Sequence, residues 1–343
     1  MPAAILGDRA CGKTTFLGLL YAAQVKYGTR VQDTFRFHAP LQSLKLMSAV
    51  YEGMKDGRFP GATLKDEMTE ISFVFGYRKA IQGRLPAVLK EKNWMNPFAR
   101  LKFAAYDVSG EDVQEFIESG VASSPIIQQL LRAFVVVILV DCSKMTTDID
   151  SPQFKRMLKY DGDVATLAVS FQAYKKEEFE RSKAAGTETT GYPVLYPAIV
   201  LSKFDLLRDE VLMKLGLHRG MPSREKKRER KEYAEALLRV FLPQTLSQLR
   251  GGKVAGVSFD QAAYFVSWVK TEAAEAGMTP VGPPKITRKG FSAEGGAEID
   301  FSYDEYVAFI EHFRDIANKV PDEVKEQDDV NADTAAKGGP QVA

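Results

Sequence analysis

Gly7-Asp8-Arg9-Ala10-Cys11-Gly12-Lys13-Thr14 is the stretch that decides the fold. Residues 2–6 in front of it are short and apolar, the pattern of a fully buried parallel strand. Residues 13–27 behind it place Phe16, Leu19, Leu20 and Ala23 on one face and read as a helix. The eight residues fit G-x-x-x-x-G-K-[ST], a spacing that arises by chance in roughly one chain of this length in a hundred. Its place between a strand and a helix is what gives it chemical meaning. The two glycines allow turns that a side chain would block, so successive N–H groups point inward as an anion nest. The helix behind adds the positive end of its dipole. Gly7 to Thr15 are therefore the expected phosphate cradle: the backbone of Gly7, Asp8, Arg9, Ala10, Cys11 and Gly12 wraps the anion. Lys13 reaches the β- and γ-phosphates, Thr14 gives its hydroxyl to Mg²⁺, and Thr15 closes the first helical turn.

Working outward, the rest of the chain alternates strands and helices. Residues 70–77 alternate Ile71, Phe73 and Phe75 with smaller or polar partners, and residues 101–106 and 194–201 read as further strands. The β-branched block 134–140, bounded by Asp141, is the clearest strand of all. A helical piece is expected at 41–54, helices at 111–133 (with a break at Ser123-Ser124-Pro125), 151–185 and 209–250 (interrupted near 216–222), and a last strand at 262–266. A Gly/Pro-rich loop at 277–296 follows. The final helix, 303–320, carries Tyr306, Phe309, Ile310, Phe313, Ala317 and Val320 at helical spacing. The fold class expected is α/β: a three-layer sandwich with a mostly parallel sheet and helices on both faces. Residues 1–320 are read as one domain with large insertions at about 28–68, 78–100, 144–192, 209–250 and 277–300, and 321–343 as a disordered tail.

Two carboxylate-bearing segments follow strands on the side of the glycine-rich turn. Asp107-Val108-Ser109-Gly110 follows 101–106: an Asp at a strand's C-terminal end can hold a metal through water, and the Gly110 N–H can meet a γ-phosphate whose loss releases the loop. Glu111 comes next. It either orients an attacking water, or is a helix N-terminal residue favoured by the dipole. A second metal ligand is expected before the strand 70–77, with Thr63 in Arg58-Phe59-Pro60-Gly61-Ala62-Thr63 the first candidate and Thr69 the second. Arg58 is read as a solvent-exposed side chain or a catalytic arginine supplied in cis. The second segment is Ser202-Lys203-Phe204-Asp205, after the strand 194–201; beyond it lies Tyr264-Phe265-Val266-Ser267-Trp268.

In this order the segments resemble those of the Ras-like, translation-factor-class P-loop GTPases. Ser202-Lys203-Phe204-Asp205 looks like the family's [NT]-K-x-D motif, with Ser202 in place of Asn or Thr. The resemblance implies that Asp205 accepts two hydrogen bonds from guanine N1–H and the exocyclic amine, and that the Lys203 stem covers the base. Adenine offers neither donor set and would leave a buried carboxylate unpaired, a penalty on the order of 10³-fold or more. The resemblance further implies that Ser267 precedes a backbone N–H that meets guanine O6; Trp268 stands where the family has a small residue and can stack or cap. It covers about half the chain, up to about residue 270. The segment order and the loop around Pro60-Gly61-Ala62-Thr63 are similar to the prokaryotic double-GTPase-like subgroup.

Composition narrows the rest. With 46 basic and 45 acidic residues, a net charge of +1 gives no global field for nucleic acid or an anionic membrane. The longest purely apolar run, 133–140, is far short of the roughly 20 residues a membrane-spanning helix requires. Two cysteines, Cys11 and Cys142, make no disulfide framework, and a reducing, cytoplasmic setting is expected, with no secretory leader. The basic run 224–231 is interleaved with Glu225 and Glu229 and reads as a solvated helix face rather than an anion-binding patch. The connection 78–100, with Trp94 and Phe98 among its charges, is either a partner-docking element or packs on an insertion. The function expected is a Mg²⁺-dependent guanine-nucleotide switch that hydrolyses GTP slowly, Lys13, Gly110 and Glu111 acting on the γ-phosphate and the insertions serving effector or activator proteins. The competing readings are an ATPase or small-molecule kinase on the same core, and a non-hydrolysing nucleotide-binding scaffold.

Overall fold

The computed structural model describes residues 2–8, 10–30, 35–61, 69–78, 98–107, 125–186, 193–251, 256–272, 285–291 and 297–319. At its centre is β1 (Pro2–Gly7), whose alternate side chains divide the molecule. Ala3 and Ile5 enter one hydrophobic cluster, Ala4 and Leu6 the other. A strand buried on both faces needs a helical layer on each side. The first layer is α1 (Lys13–Arg30), α2 (Leu41–Lys55) and, from the far end of the chain, α8 (Tyr303–Lys319). The second holds α3 (Pro125–Leu131), α4 (Pro152–Ala184), α5 (Asp209–Lys214), α6 (Lys227–Phe241) and α7 (Pro243–Gly251).

The sheet between them runs β2 (Phe35–His38), β3 (Thr69–Arg78), β4 (Phe98–Asp107), β1, β5 (Val135–Asp141), β6 (Val194–Ser202), with β7 (Ser258–Phe259) and β8 (Ala263–Ser267) following one another along the outer edge of β6. All pairings from β4 outward through β1 are parallel; β2–β3 and β3–β4 are antiparallel. The architecture is thus mixed α/β with a mostly parallel sheet and helices on both faces. The parallel strands point their C-terminal ends the same way, so Gly7, Asp107, Asp141, Ser202 and Ser267 share one edge of the sheet. The registers Ile5↔Asp107, Gly7↔Leu139, Asp141↔Ser202 and Ser202↔Ser267 align them.

Three differences from the sequence reading have plain causes. The edge strand β2 was unforeseen because it is four residues long within a turn-rich stretch. The strand expected at 262–266 is not the last: β9 (Arg288–Phe291) and β10 (Ala297–Ile299) form an antiparallel pair, β9 lying inside the stretch 277–296 read as a loop. Arg-Lys-Gly-Phe has too little apolar alternation to announce a strand. The expected helix 111–133 is described only as α3, and residues 108–124, 79–97 (with Trp94) and the tail 321–343 lie outside the described residues.

The 33-residue helix α4 is a large addition to the second layer, about 50 Å long at 1.5 Å per residue. Ser151 caps it, its hydroxyl accepting from the Phe154 N–H at 3.2 Å. Its buried face holds polar groups that bind it to the core. The Tyr160 hydroxyl donates to the Leu139 carbonyl at 2.9 Å, and the Gln172 amide to the Val257 carbonyl at 2.9 Å. Asp161, fully buried, accepts from the N–H groups of Gln244 (2.9 Å) and Thr245 (2.8 Å), capping α7 from a neighbouring helix. Removing that carboxylate strands two backbone donors in a dry interface. Asp161→Ala is expected to lower unfolding free energy by about 2–4 kcal/mol, read as a lower urea midpoint at unchanged m. Asp161→Asn, which keeps one acceptor, should lose less.

His312 on α8 packs its ring 5.6 Å from that of Phe265, and its Nε2 is buried with no hydrogen-bond partner. Burial pulls its pKa down to about 4, with Lys319 and Lys227 acting in the same sense and Asp315 and Asp260 opposing. The folded state therefore holds this ring neutral while the unfolded chain takes up a proton near pH 6.5. Stability is fully present above pH 6.5 and is lost as pH falls from there through 4, by about 3 kcal/mol in all. His312→Phe should flatten that limb in a series of denaturation midpoints between pH 7 and 4.

Candidate functional site

The turn between β1 and α1 has the backbone its sequence demands. Ala10 and Gly12 both take positive φ, 60° and 94°. The Cys11 N–H closes a turn on the Asp8 carbonyl at 3.2 Å, and the Phe16 N–H begins the helix on the Gly12 carbonyl at 2.8 Å. Gly7 is fixed by space: a Cβ there would lie 2.3 Å from the Cys11 Sγ and 3.3 Å from the Leu139 Cβ. Such a chain of amides curving around the start of a long helix is an anion nest. Lys13, nearly buried, folds back across it, its Nζ donating to the Gly7 carbonyl at 3.0 Å. Thr14 and Thr15 are half-buried in the first turn of α1.

A second set of groups ties the ends of β5 and β6 to this turn. The Ser202 hydroxyl, buried at the last residue of β6, lies 2.8 Å from the Cys11 carbonyl and 3.2 Å from the Val140 carbonyl. A serine thus braces the turn that follows β6 against the turn between β1 and α1. Lys203 follows in the left-handed region (φ 50°), which turns the chain out of the strand into a 3₁₀ turn over Phe204–Leu206. Its Nζ donates to Asp141 Oδ2 at 2.8 Å. Asp141 is itself buried at the end of β5, accepting from the Ser143 N–H (3.0 Å) and hydroxyl (2.5 Å). Lys144, in the turn after β5, reaches Asp8 at 2.5 Å. Two lysines and two aspartates therefore alternate around the floor of the turn. Asp141 and Lys144 were missed in the sequence, although the rule that picked out Asp107, a carboxylate at a strand's C-terminal end, points equally to Asp141.

Asp205 is half-buried in the 3₁₀ turn. Burial raises its carboxyl above the ordinary carboxylate range, while a backbone N–H, Arg219 and Lys203 pull the other way. Asp205 in turn helps Asp141 and burial push the Cys142 thiol well above its ordinary value. Cys11 is also buried, its thiol raised to about 11 by desolvation. Both cysteines are thus packed as neutral thiols rather than reactive thiolates.

The segment after β8 is placed beside Lys203 but is engaged elsewhere. The Ser267 and Tyr306 hydroxyls lie 2.6 Å apart, and the Trp268 N–H donates to the Ser302 hydroxyl at 3.1 Å. That N–H is the one for which the resemblance implies guanine O6 as partner; in this structure its partner is Ser302. Asp107 ends β4 one strand from the turn, paired with Ile5 on one side and Thr69 on the other. Arg9, Thr63, Gly110 and Glu111 lie outside the described residues. Arg58 is exposed just past α2, its guanidinium 3.2 Å from Asp56. In the basic run 224–231, Lys226 pairs with Glu229 and Arg228 with Glu232 along one helix, while Arg224 and Arg230 reach across to Glu311 and Glu305 on α8.

A hydroxyl at a helix N-terminus and a carboxylate at the adjacent strand end are hard oxygen donors of the kind Mg²⁺ takes beside phosphate, with water completing its shell. Thr14 and the position of Asp107 fit that ion. Among the described residues no group of three or more His, Cys, Asp or Glu side chains is arranged for a metal. No helix among them is long and apolar enough to cross a membrane.

No protein-family model matches the chain, and no curated protein does. Among solved structures it is similar to the S. cerevisiae Ski7 GTPase-like domain bound to GDP and inorganic phosphate. The identity is 12% and the TM-score 0.28, over 77% of this chain and 43% of that one. The GTP-bound form of the same domain matches at 12% and 0.28. The signal recognition particle receptor SRb-GTP/SRX complex from Chaetomium thermophilum matches at 10% identity and a TM-score of 0.31, over 77% of this chain and 90% of that one. The chain spans less than half the length of the Ski7 chain. At such identities the site is read from this chain's own geometry.

Proposed function

We propose that the chain is a guanine-nucleotide-binding protein that takes GTP with Mg²⁺ and hydrolyses it slowly, working as a molecular switch. The observation that carries this reading is the Ser202 hydroxyl set against the Cys11 carbonyl. It joins an anion nest to a carboxylate-bearing turn, so one rigid unit holds both the phosphate and the base ends of a nucleotide. The amides of residues 7–12 and the Lys13 ammonium bind the triphosphate and hold charge that shifts toward its bridging oxygen. Lys13 is released from the Gly7 carbonyl by the incoming phosphate, a stronger acceptor. Asp205 accepts from the guanine edge, and Lys203, anchored by Asp141, lays its stem along the base. Mg²⁺, held through Thr14, Asp107 and Thr63, neutralises phosphate charge when bound. Gly110 and Glu111 are the residues proposed to meet the γ-phosphate and the attacking water. Slow turnover follows from Arg58's exposed pairing with Asp56, which leaves no arginine among the described residues assigned to the transferring phosphoryl group. The insertions are proposed as surfaces for an effector or activator protein, in a cytoplasmic setting, and the segment order favours the prokaryotic double-GTPase-like subgroup.

Calorimetric titration with GTP, GDP and ATP, each with Mg²⁺ and with EDTA, tests the binding reading. Single-turnover phosphate release tests hydrolysis. GTP favoured over ATP by about 10³-fold, with Mg²⁺-dependent release, is the expected result. Equal affinity for the two purines would remove guanine recognition. Tight GTP binding with release at the protein-free rate would leave a nucleotide-holding scaffold.

A further inference from the structure

We infer that Lys144 is a positioning residue of the phosphate turn, offsetting the charge of the Asp8 carboxylate so that the turn can accept a polyanion. The inference rests on the proposed phosphate cradle and is independent of which base is bound. Its starting point is a conflict in the sequence: Asp8 is the one acidic residue of the stretch 7–15, and it stands directly after the first glycine. Its carbonyl closes the turn by accepting from the Cys11 N–H at 3.2 Å, so its side chain hangs from the nest itself. A carboxylate there repels phosphate oxygens. At a partly buried position one unit charge a few ångströms away is worth about tenfold in affinity.

The fold answers with a lysine from elsewhere in the chain. At the end of β5 the buried Asp141 accepts from the Ser143 N–H at 3.0 Å, which starts the 3₁₀ turn Cys142–Lys144. That turn sends the Lys144 side chain back toward the start of α1, where its Nζ lies 2.5 Å from Asp8 Oδ2 and 3.9 Å from Asp141 Oδ2. Lys203 meets the same Asp141 oxygen at 2.8 Å. Asp8, Lys144, Asp141 and Lys203 thus form a chain of alternating charge in which anions and cations match, and the Lys13 ammonium is the surplus. The field of this set reaches the middle of the turn: burial raises the Cys11 thiol to about 11, with Asp141 adding to it and Lys13, Lys144 and Lys203 opposing. The side chains of Lys144 and Asp8 remain 21% and 34% exposed, so their pair adds little to folding stability. What Lys144 supplies is charge beside the ligand.

Calorimetric titration of the full chain with GTP, and with inorganic tripolyphosphate as a probe that carries no base, tests this in Lys144→Met, Asp8→Asn and the double variant. Lys144→Met is expected to weaken both ligands by about tenfold, and Asp8→Asn to tighten them by about threefold. The double variant should bind at least about fivefold tighter than Lys144→Met, although it has lost both members of the pair. A pair that only held the turn in shape would make Asp8→Asn weaker and give no recovery in the double variant. Recovery below about fivefold, or an Asp8→Asn that binds more weakly than the wild type, would overturn the inference. If Lys144→Met does not fold, Asp8→Asn decides alone, and equal or weaker binding overturns the inference. Tripolyphosphate bound with the expected pattern, and GTP bound no tighter, would keep the inference and remove base recognition. A wild-type chain that binds neither ligand would remove the phosphate cradle, and the inference with it.

Discussion

Lys13→Ala is expected to lower affinity for GTP and GDP by about 10²–10³-fold, while leaving the nucleotide-free protein within a few degrees of its melting temperature. The asymmetry follows from what Lys13 touches. Among the described residues its ammonium donates to the Gly7 carbonyl at 3.0 Å, a contact whose loss costs little because it leaves no charge unpaired. The nearby carboxylates are committed to other cations, Asp8 to Lys144 and Asp141 to Lys203. The Lys13 ammonium is therefore not part of the network that holds the floor of the turn, and removing it leaves that network intact. Against a triphosphate the balance reverses, because charge-assisted bonds to phosphate oxygens in a semi-buried cradle are worth several times a neutral contact. Calorimetry and a thermal melt on the same sample give both numbers. Unchanged nucleotide affinity in Lys13→Ala, with the protein folded, would sink the phosphate-cradle reading. A large fall in melting temperature would mean the lysine is structural. Gly7→Ala should act oppositely, since its Cβ meets the Cys11 Sγ at 2.3 Å and the turn must distort before any ligand arrives.

Most of this site was legible because its parts are local. The spacing of Gly7, Gly12, Lys13 and Thr14 specifies a backbone conformation within eight residues, and the strand before and helix after it can be read from periodicity alone. The sheet's parallel centre was legible for the same reason: residues 134–140 and 194–201 are continuous apolar blocks that must be covered on both faces. What was not legible is long-range pairing. Asp141 looked like the punctuation of a strand until the register Asp141↔Ser202 set it beside Lys203. Lys144 is an ordinary surface lysine in sequence, 136 residues from the Asp8 it binds. Ser302 gives no local signal at all, since its hydroxyl serves a residue 34 positions earlier. Ser202 departs from the usual Asn or Thr, yet the geometry needs only a hydroxyl of the right reach, and a serine at the last position of β6 supplies it. The hairpin β9–β10 was hidden by composition rather than distance, because polar strands stabilised by pairing carry no hydrophobic period.

Asp205→Asn is expected to erase purine discrimination, cutting GTP affinity by about 10²–10³-fold with ATP changed by less than about threefold. An ionised carboxylate offers acceptors to both the N1–H and the 2-amino group of guanine. An asparagine keeps one acceptor and presents an NH₂ to the other donor, so one bond is lost and a repulsion takes its place. Xanthine carries an oxygen at position 2, and its nucleotide should gain affinity in the variant by the same logic. The pH dependence supplies an independent check. Burial holds the Asp205 carboxyl above its ordinary range, so it takes up a proton at a higher pH than an exposed aspartate. Protonation removes an acceptor, and GTP affinity should therefore fall on acidification earlier than ATP affinity does. In Asp205→Asn that acid limb should vanish, because nothing at position 205 remains to titrate. A variant that still prefers GTP over ATP by the wild-type margin would show that the purine is chosen elsewhere, and an acid limb that survives the substitution would assign it to another group.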